Sequence, residues 1–389
     1  MVISSQDIVY LDNNATTRVA PEVFEEITPF FTEAWGNPSS AYRFGSQIRA
    51  KIEKSRAQVA QLIGAEPKEI FFTSCATESD NAALRSALET TGKKKIVTTA
   101  VEHSAIVKEC EKLRKKDVEV VWMPVRPDGT LDFREVEKAV DEDTAICTVM
   151  WANNETGVLF PVEEIAEFCK LKGVLFHTDA VQAVGKIPVN LKKNKIDMLS
   201  IGGHKLHAPK GIGALYIRRR TRFAPLLLGG SQESGKRAGT ENVAFMVGLG
   251  RACELAAERM KDENTRVKAL RDKLENGILS AIPHVHLNGH KEQRLPNTLN
   301  VAFDSVEAEA ALLLLDQQNI CASSGSACAT GSLDPSHVLK AMGLTSSRAR
   351  GALRLSLSVY NSESDINKTL KALPGIIQKL RAVSPAHPE

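Results

Sequence analysis

The stretch DMLSIGGHKLHAPKGIGALYIRR, residues 197–219, decides how this chain folds. Two apolar runs, DMLSIGG (197–203) and GALYIRR (213–219), both read as strands. Only about ten residues separate them, too few for the helical crossover that a parallel neighbour needs, so one of the two turns back antiparallel. Upstream, EIFFTS (69–74), KIVTTA (95–100), VEVVWMP (118–124), TAICTVMW (144–151) and GVLFHTDA (173–180) read as further strands. Amphipathic helices lie between most of them, such as PVEEIAEFCKLKG (161–173), opened by proline and closed by glycine. This alternation predicts an α/β fold: a mostly parallel seven-stranded sheet, helices on both faces, ligands at the carboxyl ends of the strands. After about residue 260 the pattern changes. A long helix, NTRVKALRDKLENGILSAI, leads into TLNVAFD, EAEAALLLLDQQNI, a Gly/Ser loop and ALRLSLS, which read as a second, smaller α/β unit.

Composition narrows the function. The chain has 389 residues, 25% charged and 43% hydrophobic, and a net charge of +3, too small to imply a nucleic-acid partner. The basic run IRRRTR (217–222) is local and reads either as a solvated strand end or as a contact for an acidic protein. No uncharged run reaches the roughly 18 to 20 residues needed to span a bilayer, and the first residues lack a basic flank with an apolar core, so a cytoplasmic protein without membrane partners is expected. Seven cysteines without a C-x-x-C pair argue against a disulfide framework and a structural zinc site. His204 and His207 lack further ligands at zinc spacing, so no metal is expected. Neither a Walker-type loop, a strand-bound G-x-G-x-x-G nor a G-x-S-x-G elbow occurs.

A lysine at one strand end, a carboxylate at the neighbouring strand end and a phosphate cradle together suit pyridoxal phosphate, whose aldehyde bonds a lysine and whose ring nitrogen pairs with an acid. Lys205 follows one strand directly; Lys210 lies beyond Pro209, in the turn into the next. Asp179, after four apolar residues, reads either as the ring-nitrogen partner or as an N-cap for AVQAVG. In TSCATESDNAAL a strand gives way to a helix, so the amides near Ala76 and Thr77 can face an anion. His103 reads as a stacking or proton-moving imidazole or as a packed loop histidine, and Arg354 as a carboxylate clamp or a structural ion pair.

YLDNNATT (10–17), GNPSS (36–40), TSCATES (73–79), VEH (101–103), MWANNETG (150–157), FHTDAVQAVGK (176–186), GHKLHAPKG (203–211), RAGTEN (237–242), SSGSAC (323–328) and RLSLS (354–358) run nearly end to end. With them the chain resembles the pyridoxal-phosphate-dependent cysteine desulfurases of the NifS/IscS type, within the class V aminotransferases and closer to the nitrogen-fixation branch. The resemblance implies fold type I, with a large cofactor-binding domain at 15–260 and a small domain made of 1–14 and 261–389 that carries the cysteine loop near 323–335. It makes Lys205 the Schiff-base lysine and Asp179 the ring-nitrogen partner. His103 becomes the stacking and proton-handling residue, Ala76, Thr77 and His204 the phosphate side, and Asn154 and Gln182 the groups at the ring hydroxyl. Thr240 matches a residue that reaches the phosphate of the neighbouring subunit, so a homodimer is implied.

Cys328 lies among small residues in CASSGSACATGSLDP and matches the thiol that takes sulfur from L-cysteine as a persulfide, leaving L-alanine. The other cysteines fit buried apolar positions, Cys321 less clearly. Arg354 and Asn154 match the grip on the substrate carboxylate. An iron-sulfur cluster scaffold, nitrogenase assembly included, or another thiol acceptor would receive the sulfur. The alternatives are a selenocysteine lyase, a class V aminotransferase or a non-enzymatic sulfur-scaffold subunit. Gly202 departs from the family, which has a phosphate-binding serine there; losing that bond costs on the order of 1 to 3 kcal/mol of cofactor affinity.

Overall fold

The computed structural model describes residues 7–324 and 335–384. All seven expected strands form one sheet. Across it the order is Ile70–Thr73, Gly213–Ile217, Met198–Gly202, Leu175–Asp179, Thr144–Thr148, Lys95–Thr99 and Glu119–Met123. Gly213–Ile217 runs antiparallel to both of its neighbours, and the strands from Met198–Gly202 to Glu119–Met123 pair in parallel. The central strands are buried at nearly every position because helices cover both faces, which is why they read as unbroken apolar runs. Between Thr144–Thr148 and Leu175–Asp179 the helix Val162–Lys172 begins after Pro161 and ends at Gly173, whose φ of 68° supplies the left-handed C-cap.

Two expectations change. The segment after Asp179 forms turns, not a helix; Gly185 takes a φ of 78° there. The helix expected at 264–282 is the second half of a longer rod: Val243–Asp262 passes through a π-helical stretch, Glu263–Val267, into Lys268–Ala281.

A three-stranded antiparallel sheet, Ala352–Ser356, Thr298–Phe303 and Val285–Leu287, forms the second layer. One buried apolar cluster joins Val9 and Leu11 to residues from Val267 to Ile377. The main cluster nevertheless takes in Leu295, Val338, Leu339 and Met342, so the C-terminal third contributes to both cores.

Candidate active site

The carboxyl ends of the parallel strands bring His103, Asp179 and Lys205 near one another, with Ala76 opposite Gly202. Helix Ala76–Thr91 follows Ile70–Thr73, and its N-cap, Cys75, makes no side-chain cap hydrogen bond, so the first turn has amides to offer an anion. A Cβ built on Gly202 would lie 3.5 Å from Ala76 Cβ and 3.3 Å from Val181 Cγ1, so this helix start and the end of Met198–Gly202 face each other across a gap without a side chain. Thr77 is exposed at the same helix start.

His103 caps the helix Ser104–Arg114: its Nδ1 accepts the Ala105 N–H at 3.2 Å, which leaves the proton of a neutral ring on Nε2. Asp179 ends its strand buried, and its Oδ1 accepts the Val181 N–H at 2.9 Å, which caps a turn and not the AVQAVG helix of the N-cap reading. Burial pushes its carboxyl up, opposed by the charges of His103, the Val181 amide and Lys205. Lys205 lies in the 3-10 turn Gly203–Lys205, and its Nζ donates to the carbonyls of Asn14 at 2.5 Å and Ala15 at 2.6 Å. His204 meets Thr16 Oγ1 through Nδ1 at 3.1 Å, and burial with the Lys205 charge lowers it to about 4, a neutral ring at neutral pH.

A chain of contacts leads from Lys205 to Arg354. Asn14 carbonyl accepts from Lys205 and from Gln182 Nε2 at 3.0 Å, while Asn14 Nδ2 donates to the Asn154 carbonyl at 3.2 Å. The same Asn154 carbonyl accepts from Arg354 Nη1 at 3.1 Å. Arg354 Nη2 pairs with Asp12 Oδ1 at 2.7 Å, and its buried Nε has no hydrogen-bond partner among the described residues. Arg354 thus makes the ion pair that one of its two readings expected. Thr240 stands exposed, apart from these contacts.

Cys328 lies outside the described residues, but both flanks of its segment are moored here. Ser323 and Arg354 exchange backbone hydrogen bonds at 3.1 and 2.6 Å. Ser336 Oγ donates to Glu155 at 2.5 Å, and His337 Nε2 meets the Glu102 carbonyl at 3.0 Å. Of the other cysteines, Cys110, Cys147, Cys169 and Cys253 are buried as expected; Cys75 is only half-buried because it caps a helix, and Cys321 is half-buried too.

Sequence reasoning missed several groups. Asp12 holds Arg354, and Asn14 is the hub of the contact chain; both sit inside YLDNNATT, where only the spacing to residues more than a hundred positions away gives them a role. Buried Glu102 accepts from Thr99 Oγ1 at 2.6 Å and from the Met150 amide, and burial pushes it up to about 8. Asp80, a routine helix residue by sequence, is buried beside Asp179.

The class V aminotransferase model matches residues 9–369. The chain belongs to this family, on its cysteine-desulfurase branch. Cysteine desulfurase 2 of Trichormus variabilis is 54% identical over 97% of this chain and 95% of its own length. Cysteine desulfurase NifS of Azotobacter vinelandii is 53% identical, covering 97% and 94%. Among solved structures, a NifS-like protein superimposes with a TM-score of 0.90 at 41% identity, covering 96% of this chain and all (100%) of that one. SspA in complex with cysteine does so with 0.81 at 32% identity, covering 91% and 99%. Class V family membership makes the protein a pyridoxal-phosphate-dependent enzyme of fold type I.

The site fits that cofactor on its own geometry: a lysine amine, a buried carboxylate that gains from a cation, and an uncapped helix start opposite Gly202.

Proposed function

We propose that this enzyme is a cysteine desulfurase that converts L-cysteine to L-alanine and carries the released sulfur on Cys328. The observation that carries the proposal is the contact chain Lys205–Asn14–Asn154–Arg354, which ties the cofactor end of the large sheet to the guanidinium of the small one. Pyridoxal phosphate, when bound, supplies the electron-withdrawing ring that makes the substrate's α-proton labile. Lys205 would hold its aldehyde end, Asp179 its ring nitrogen, and His103 its face. Asn154 and Gln182 would meet the ring hydroxyl; Ala76, Thr77 and His204, with Thr240 of the neighbouring protomer, would meet the phosphate.

Arg354 takes the substrate carboxylate, with Asn154 beside it; its Nε, without a partner among the described residues, is the donor offered for that contact. Lys205 Nζ and His103 Nε2 move the α-proton. The Cys328 thiolate then attacks the substrate sulfur: an S–S bond forms, the substrate Cβ–S bond breaks, and the carbon skeleton takes up protons and leaves as alanine. The persulfide passes to an iron-sulfur scaffold or another thiol, and a homodimer in the cytoplasm with domains at 15–260 and at 1–14 with 261–389 belongs to the same proposal. Among the described residues no helix is long and apolar enough to cross a membrane.

The test is incubation with L-cysteine, pyridoxal phosphate and a thiol reductant. Equal amounts of alanine and sulfide are expected; keto-acid-dependent amino transfer, or turnover of selenocysteine alone, would overturn the assignment.

A further inference from the structure

Asp80 has no task in the proposed reaction, yet it is only 1% exposed and, among the described residues, neither carboxyl oxygen has a partner in good hydrogen-bond geometry, Ser200 being the nearest hydroxyl that acts on it. It sits on helix Ala76–Thr91 behind the site. A carboxyl oxygen of Asp80, a ring nitrogen of His103 and a carboxyl oxygen of Asp179 all lie within 4.8 Å of one another. On its other side Oδ1 is 3.7 Å from His177 Nε2. That nitrogen meets Ser200 Oγ at 2.9 Å, and His177 Nδ1 meets Thr148 Oγ1 at 2.8 Å, all three residues being fully buried.

Burial holds His177 down to about 3, so its ring is neutral and brings no charge to Asp80. If Thr148 donates to Nδ1, Nε2–H donates to Ser200, and the Ser200 hydroxyl proton is left to turn toward Asp80. Ser200 favours a charge there, but burial outweighs it, aided by the neighbouring Asp179, Glu102 and Cys75, and the carboxyl is pushed well above the usual range. Asp179 differs because His103 and Lys205 both favour its charged form. Two carboxyl groups this close, shielded from water, do not both ionise.

We infer that Asp80 is a positioning residue for Asp179: it keeps a proton within the pair, so that the single negative charge rests on Asp179 at the ring-nitrogen position. The inference rests on the proposed function for the use of that charge, but not for the proton itself. No bond is made or broken; the proton stays on the buried Asp80 carboxyl, against the pull of Ser200, and the charge stays on Asp179.

Infrared difference spectra of wild type minus Asp80→Asn at about pH 8 test it, in cofactor-free and pyridoxal-phosphate-loaded protein. A carboxylic-acid C=O band present in wild type and absent from the variant is expected in both states; Glu102 is common to both samples and cancels. Absence of the band overturns the inference. Carbon-13 NMR of wild type labelled at aspartate carboxyls reads the same proton should the variant not fold: one aspartate resonance stays at the protonated position between about pH 5 and pH 8, and an ionised signal for every aspartate contradicts the claim. The positioning role is read from the ring nitrogen-15 signal and affinity of bound pyridoxal phosphate. Asp80→Ala, which removes the neutral polar group beside Asp179, is expected to weaken binding on the order of tenfold and shift the signal away from the protonated position, and Asp80→Asn, neutral and polar, to restore both. Equal effects in both variants, or none in either, overturn it. If wild type fails to bind pyridoxal phosphate, the proposed function falls while the infrared result still decides the state of Asp80.

Discussion

Asp179 and Arg354 are both buried and both charged in the proposed reaction, yet the protein holds them differently. At the end of the large sheet, Asp179 shares its surroundings with Asp80 and Glu102, and burial pushes all three carboxyls up. On the small sheet, Arg354 already pairs with Asp12 and donates to the Asn154 carbonyl. The first region gathers more acid than it can ionise and gains from a bound cation; the second fixes a cation with one donor in hand. The difference teaches where each energy is spent. In the proposed reaction, cofactor binding would relieve a burial cost at the sheet end, whereas substrate binding at Arg354 would rely on geometry set in advance.

The largest effect expected is at the sheet end. Lys205→Ala should slow alanine formation by at least about 10³-fold and abolish the cofactor's visible absorbance in the enzyme. A small loss would move the chemistry to another lysine and break the comparison. In the other region, Asp12→Asn frees Arg354 to turn, so the KM for cysteine should rise on the order of tenfold while kcat changes by less than about twofold. A fall in kcat alone would show that Asp12 serves the chemical step. Gly202→Ser tests the cradle. Its Cβ would meet Val181 Cγ1 at 3.3 Å, a fit that needs only a small shift. Pyridoxal phosphate should bind roughly tenfold tighter if the hydroxyl reaches the phosphate, and unchanged affinity would remove that contact from the account.

The smallest effect is on stability. Burial raises Glu102 from 4.5 to about 8 in the folded protein. The folded state thus holds this proton more tightly than the unfolded chain, so its contribution is full below the unfolded pKa and is lost as pH rises toward about 8. Glu102→Gln should therefore flatten the decline of Tm across that window and melt a few degrees above wild type at its alkaline end. A steeper decline in the variant would place the proton elsewhere.

The sheet was legible because buried strands show as short apolar runs, and the antiparallel return at 213–217 because its connection is too short for a helix. Lys205, Asp179 and His103 were legible as polar residues at strand ends. The helix that the N-cap reading of Asp179 required is absent: AVQAVG has helical composition, but the left-handed Gly185 ends any such run. Asp80 escaped because burial of a helix residue depends on which face packs on the sheet, and ATESDNAAL carries polar residues on both sides of that choice. The Asp12–Arg354 pair joins positions 342 residues apart, brought together where the chain around Asp12 pairs with Ser356 of the small sheet. The moorings Ser336–Glu155 and Ser323–Arg354 are of the same kind.

The central claim is that sulfur leaves cysteine by way of Cys328, and single-turnover assay of Cys328→Ala with L-cysteine tests it most directly. The account predicts that the variant keeps bound pyridoxal phosphate and its absorbance change on adding cysteine but forms neither sulfide nor alanine above background. Sulfide release at the wild-type rate from Cys328→Ala would contradict it.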